Sequence, residues 1–209
     1  MDTILHYIQG YAQSQPDALA VCELRKSLTY AEYWSSIRKA ATALQSMGIS
    51  SGDHVMLRCT QNIDYLVVFS ALQYMKALVV PIEKTTSAER AVEIGGRVDA
   101  SCLITDKAVD GIDCVRLKDV TECMKNSEEA EMKLPGESDR SMLLFTTGTT
   151  GSSKGVVMTH RGDVGIAGNV IEGTAMKKGN VEIIPMPLNH SFGIRRYQSD
   201  MVNGGTVCL

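Results

Sequence analysis

The sequence predicts an α/β fold with a largely parallel sheet. The main observation is alternation. From about residue 53 to 125, short apolar strand-like runs exchange with helical patterns. Parallel neighbours need crossover segments of that length, whereas antiparallel ones are joined by tight turns. The second is composition: 209 residues, 44% hydrophobic and 22% charged, are enough to bury a proper core. The third is a capping box, Thr29 with Glu32 three residues on, which starts a helix.

The elements follow in order. Asp2 to Gln13 reads as a short helix and Asp17 to Cys22 as a strand. After Thr29, Tyr33, Ile37, Ala40, Leu44 and Met47 recur at spacings of four and three, one helix face closed by Gly48. Ser51-Gly52-Asp53 turns into a strand from His54 to Cys59. A helix from about Asp64 to Met75 precedes a strand from Ala77 to Ile82. Ser87 caps a helix to about Val98, and strands follow at Ser101 to Thr105 and Cys114 to Leu117.

Asn126 to Asp139 is charged, with few apolar anchors, and its acidic side chains read as solvated surface. It predicts a connection between a subdomain over 1–125 and a second one starting at 140–209. Ser141 to Phe145 and Gly155 to Met158 are strand-like, and Thr159 caps a helix to about Thr174, weakened by four glycines. Val181 to Met186 is a strand, Pro187 to Gly193 a loop, and Gly205 to Leu209 the start of a strand. Ending on that apolar run predicts that the fold continues in a longer parent protein.

A formal net charge of −3 argues against a general nucleic-acid binder. No apolar run approaches membrane-spanning length, and Met1-Asp2-Thr3-Ile4 lacks the basic start of a secretion signal. Six cysteines form no CxxC pair, so reduced buried thiols are expected rather than zinc ligands or a disulfide framework, and the expected compartment is the cytoplasm.

Between the two strands lies Thr146-Thr147-Gly148-Thr149-Thr150-Gly151-Ser152-Ser153-Lys154-Gly155. Glycines allow backbone N–H groups to approach a ligand, hydroxyls donate to phosphate oxygens, and the lysine adds positive charge. These residues suit a polyphosphate better than a hairpin turn of two to five residues. A Walker loop fails: Ser153 precedes Lys154 where glycine should stand, Gly155 follows where a hydroxyl should bind magnesium, and the next residues look like a strand. No dinucleotide fingerprint occurs. The elbow G-x-S-x-G around Ser191 fails at Asn189.

Thr146 to Gly155 resembles the signature loop of the acyl- and aryl-CoA synthetase and adenylation-domain superfamily, which includes luciferase, with Ser153 in place of the usual proline. Leu28-Thr29-Tyr30-Ala31-Glu32, Gly48 to Val55, Val156 to His160 and Pro187-Leu188-Asn189-His190-Ser191-Phe192-Gly193 extend the resemblance over most of the chain. Departures fall at Met75-Lys76-Ala77, where an alanine-glycine pair is usual, and at Gly162-Asp163, where asparagine often stands.

The resemblance implies part of the large N-terminal domain of an adenylate-forming enzyme. Such enzymes activate a carboxylic acid with ATP and Mg2+ to an acyl-adenylate and pyrophosphate, then pass the acyl group to a thiol such as CoA or a pantetheine carrier. Residue by residue it implies that Thr146, Thr147, Gly148, Thr149, Thr150, Gly151, Ser152 and Lys154 bind the nucleotide. Thr149 would contact the metal, Lys154 would offset phosphate charge, and His190 would lie beside the α-phosphate and the carboxylate. His6, His54 and His160 have weaker cases, and Arg195-Arg196 is a mild basic pair that could face an anionic ligand but reads first as exposed surface. The family's Y-G-x-T-E segment, ribose-binding aspartate and C-terminal catalytic lysine have no counterpart, so the 209 residues alone are expected to be inactive. The alternative is a stand-alone, non-catalytic nucleotide- or acyl-binding module.

Overall fold

The computed structural model describes residues 3–146 and 154–209. Helix α1 (Ile4–Ser14) leads into a hairpin of β1 (Leu19–Glu23) and β2 (Lys26–Thr29), and α2 (Tyr30–Ser46) follows at once. Strands and helices then alternate: β3 (His54–Arg58), α3 (Ile63–Tyr74), β4 (Leu78–Pro81), α4 (Ala88–Val98), β5 (Cys102–Thr105), β6 (Cys114–Arg116) and α5 (Leu117–Met124). Past the charged segment come β7 (Arg140–Phe145), β8 (Gly155–Thr159), α6 (His160–Gly173), β9 (Val181–Ile183), α7 (Ser191–Asn203) and β10 (Thr206–Cys208).

Two sheets result. One has the order β6-β5-β3-β4-β7-β8, parallel except for the antiparallel β7–β8 pair. The other has the order β2-β1-β10-β9, in which only β1–β2 is antiparallel. The α/β architecture with mostly parallel strands is therefore as the sequence predicts. Strands from before and after the charged segment meet in both sheets, through β4–β7 and β1–β10.

Alternation along the strands divides the core. Val55, Leu57 and Val79 face one cluster with α2 and α3, while Met56, Leu78 and Val80 face a second cluster with Ala91 and Ile94 of α4. Helix α3 is buried on every side. The capping box of α2 forms in both directions, with Glu32 N–H donating to the Thr29 hydroxyl and Thr29 N–H to the Glu32 carboxylate.

Several expectations need correction. Strand β2 and the body of α7 are absent from the sequence reading: Lys26–Thr29 has no apolar pattern, whereas α7 repeats Ile194, Tyr197 and Met201 at spacings of three and four among buried polar residues. The helix starts at Ser191, inside the predicted loop. Strand β9 stops at Ile183, short of the predicted Met186. The acidic segment is not simply solvated: Arg38 pairs with Glu129 at 2.6 Å and Glu131 at 3.2 Å. The Tyr74 hydroxyl takes a bond from Met132 N–H at 2.8 Å and donates to its carbonyl at 3.0 Å.

Cys22 and Cys208 stand opposite each other in the β1–β10 register, with Cα atoms 4.6 Å apart, and are joined as a disulfide. Spacing could not reveal a pair separated by 186 residues that only strand pairing brings together. Cys59 and Cys102 are free and buried as expected, and burial pushes both thiol pKa values up to about 12. The departure at Lys76 also has a physical consequence. Lys76 closes α3 with φ +62°, a left-handed conformation that favours glycine.

Candidate active site

The β7–β8 hairpin holds the stem of the threonine-rich loop. Phe145 pairs with Gly155, Thr146 N–H donates to the Lys154 carbonyl at 2.8 Å, and Lys154 N–H donates to the Thr146 hydroxyl at 3.3 Å. Gly155 packs on Leu143, where an added Cβ would lie 3.0 Å from a methyl carbon. Thr146 and Lys154 are both exposed at this stem. Thr147, Gly148, Thr149, Thr150, Gly151 and Ser152 lie outside the described residues, as does Ser153.

His190 is set by packing from the other side. It is the N-cap of α7, and its side chain makes no capping bond. The preceding loop is pinned by Gln61, which follows β3: Leu188 N–H donates to Gln61 Oε1 at 2.8 Å, and Gln61 Nε2 donates to Asn189 Oδ1 at 3.0 Å. Gly193 lets the first turn of α7 sit on that loop. A Cβ there would lie 2.3 Å from the Pro187 carbonyl oxygen and 2.8 Å from that of Met186. The glycine of the segment Pro187–Gly193 thus has a steric reason to be glycine.

Thr146 and His190 line one cavity of about 670 Å³. Phe145, Val156, Met158, Ile166, Val170 and Phe192 supply apolar wall, and Arg195 supplies a cation. Arg195 is buried, not exposed as its sequence suggested. Its Nη1 donates to Asp163 Oδ1 at 2.6 Å and to Gln198 Oε1 at 2.7 Å. Asp163 is fully buried on α6, so removal from water raises its pKa against the pull of its polar neighbours, Arg195 among them. Arg196 is also engaged, gripping Glu182 of β9 through two bonds of 2.5 Å.

The other histidines stand apart from this corner. His54 Nδ1 lies 2.6 Å from the Val98 carbonyl, and His6 Nδ1 lies 2.8 Å from the Thr3 hydroxyl. His160 opens α6 under the Thr159 cap, as expected, but it is fully buried and no described residue bonds either ring nitrogen. Burial lowers its pKa to about 4, so the ring is neutral near pH 7. Among the described residues no cluster of three or more His, Cys, Asp or Glu could hold a metal ion.

Sequence reasoning missed Gln61, Asp163 and the burial of Arg195. Asp163 left one trace, a charged residue where the resemblance departs from its pattern. Gln61 left none, because only the fold brings the β3–α3 turn beside Leu188 and Asn189.

The chain is similar to known proteins in sequence and in fold. The chain is 23% identical over 211 residues to a 2-succinylbenzoate–CoA ligase of Bacillus cereus, covering 100% of this chain and 44% of the relative. It is 27% identical over 226 residues to a 3-[(3aS,4S,7aS)-7a-methyl-1,5-dioxo-octahydro-1H-inden-4-yl]propanoyl:CoA ligase of Rhodococcus jostii, covering 90% of this chain and 44% of that one. The chain thus spans less than half the length of these curated relatives. Among solved structures, the N-terminal subdomain of Klebsiella oxytoca NpsA, in complex with 3-hydroxybenzoyl-AMSN, superposes with a TM-score of 0.90. Its sequence identity is 17%, and the match covers 100% of this chain and 53% of that one. At that identity the superposition speaks for the fold, that of the N-terminal part of an adenylate-forming enzyme. The family model described as AMP-binding enzyme matches residues 8–209, and with nearly the whole chain inside that match, this protein belongs to the AMP-binding enzyme family.

Proposed function

We propose that the chain is the N-terminal part of an ATP-dependent carboxylate-activating ligase. A carboxylate oxygen attacks the α-phosphorus of ATP, pyrophosphate leaves, and the acyl-adenylate then passes its acyl group to a thiol such as CoA or a pantetheine carrier, releasing AMP. Thr146, Thr147, Gly148, Thr149, Thr150, Gly151, Ser152 and Lys154 bind the nucleotide phosphates, with Thr149 toward Mg2+. Lys154 lowers the repulsion between two anions, and His190 orients the carboxylate against the α-phosphate.

The observation that carries this reading is the juxtaposition of Thr146 and His190 on one cavity, with the Lys154 backbone hydrogen-bonded to Thr146. In this reading residues 126–139 connect two subdomains, and the remainder of a longer protein supplies the adenine, ribose and thiol-transfer groups. The 209 residues alone are inactive.

Two measurements test this. Titration calorimetry with ATP is expected to show binding that weakens about tenfold in Lys154→Ala, because the substitution removes a single positive charge from a solvated rim. Unchanged affinity would remove Lys154 from its role. Pyrophosphate exchange driven by a carboxylic acid panel is expected to be absent with the 209 residues alone, and turnover would overturn their inactivity. ATP binding without carboxylate-driven pyrophosphate exchange when the 209 residues are joined to the remainder of the longer protein would favour a non-catalytic binding module instead.

A further inference from the structure

The cavity beside His190 is apolar along most of its wall, yet Arg195 stands on it. Among the described lining residues, Arg195 is the only permanently charged one. A guanidinium on such a wall is costly unless its N–H groups are used. Its Nη1 is taken by Asp163 and Gln198, and no described residue accepts from Nε or Nη2. Asp163 comes from the neighbouring helix α6 and has no exposure of its own, so it acts by holding the guanidinium in place. The pair also cancels most of the net charge. What remains toward the cavity is directional donor capacity rather than a bare cation.

The geometry points to a substrate class. Arg195, positioned by Asp163, selects carboxylic acids whose apolar body carries an oxygen acceptor remote from the reacting carboxylate. This inference rests on the reading of the cavity as the place where the acid binds. The apolar wall of the cavity suits the hydrocarbon body of such an acid, and Arg195 supplies a polar contact on that wall. An acid with an unsubstituted end would leave the Arg195 donors desolvated and unpaired, and a site built to hydrogen-bond rejects such analogues strongly.

The test is ligand-observed NMR titration of the 209-residue protein with benzoate, 4-hydroxybenzoate, terephthalate and octanoate, alongside ATP as a separate ligand. The oxygen-bearing aryl acids are expected to bind at least about tenfold more tightly than benzoate or octanoate, as one bond to a charged donor implies. Preference for terephthalate over 4-hydroxybenzoate would assign an anionic acceptor, and the reverse a neutral one. In Asp163→Asn/Arg195→Met, which removes both charges together and leaves neither unpaired, the preference is expected to fall below threefold while benzoate binding persists. Equal affinities in the unmodified protein overturn the inference, and so does a preference that survives the double variant. Should the double variant fail to fold, the ranking in the unmodified protein decides alone. If ATP binds but the acids rank equally, only this inference falls; if neither ATP nor any acid binds, the proposed function falls with it.

Discussion

Helices α2 and α3 pack against each other, as do α6 and α7, but only the second pair buries charged side chains within its apolar contacts. The first pair buries Tyr33, Ile37, Ala40, Leu44, Leu66, Phe69 and Leu72, and the hydroxyls of Tyr33 and Ser70 are paired, while that of Tyr65 finds no partner among the described residues. Tyr33 and Ser70 share bonds with Tyr197 at 2.8 and 2.9 Å, a closed set of hydroxyls reaching across to α7. The second pair buries Ala167, Ile194, Tyr197 and Met201, and among them also His160, Asp163, Arg195, Gln198, Ser199 and Asp200. Several of their polar atoms, including both Asp200 carboxylate oxygens, find no partner among the described residues. Apolar burial stabilises the first pair. The second bears the cost of buried charge directly beside the cavity that His190 and Arg195 line, where a functional site gives that cost a use.

The contrast can be broken by substitution. Asp163→Ala leaves the Arg195 guanidinium buried and unpaired and is expected to cost about 3–5 kcal/mol in urea unfolding. A cost under about 1 kcal/mol would mean that the charged interior tolerates loss as a surface does. Phe69→Ala, in the apolar pair, is expected to cost about 3–5 kcal/mol by a different route, cavity formation. Its loss should be independent of pH between 5 and 8, whereas the α6–α7 variants should not share that indifference.

Asp200 sharpens the point through pH. Burial, and secondarily the nearby Glu182, raises its pKa to about 7, far above the ordinary value of about 3.9. A raised carboxyl favours the folded state while it stays protonated. Its contribution is full below the unfolded value and is lost as pH rises through about 7. Asp200→Asn should therefore gain stability relative to the unmodified protein between pH 5 and pH 8, by more than about 1 kcal/mol. A difference that does not change with pH would show that Asp200 ionises freely. His160 runs the opposite way, losing stability as pH falls from about 6.5 toward 4, so the Asp200 effect is read as the difference between the two proteins.

The smallest expected effect belongs to the apolar pair. Lys76→Gly relieves the left-handed backbone at the end of α3 and should stabilise by up to about 1 kcal/mol. A loss instead would mean that the Lys76–Asp139 contact at 3.5 Å outweighs the strain.

Most of the fold was legible because its signals are local. The Thr29–Glu32 capping box, the spacing of Tyr33 to Met47 and the Ser87 cap all act within a few residues, and all three form where expected. Helix α6 shows the limit of propensity: it forms across Gly162, Gly165, Gly168 and Gly173, held by the Thr159 cap and by packing against α7. Helix α7 carried a legible signal, Ile194, Tyr197 and Met201 at spacings of three and four, but buried polar residues interrupt it at Arg195, Gln198, Ser199 and Asp200. Its Gly204 C-cap, at φ +70°, was a second local signal.

The residues from Thr146 to Gly155 and from Pro187 to Gly193 determine the family and name the candidate groups, because a chemistry that needs hydroxyls, glycines and one lysine at close spacing writes them contiguously. Only the tertiary structure decided which groups share a cavity. It brought His190 to the stem of the threonine-rich loop, turned Arg195 inward onto Asp163, and set Cys22 against Cys208. Each of these joins residues far apart in the chain, and such distances are closed by sheet register and helix packing rather than by any local preference of the sequence.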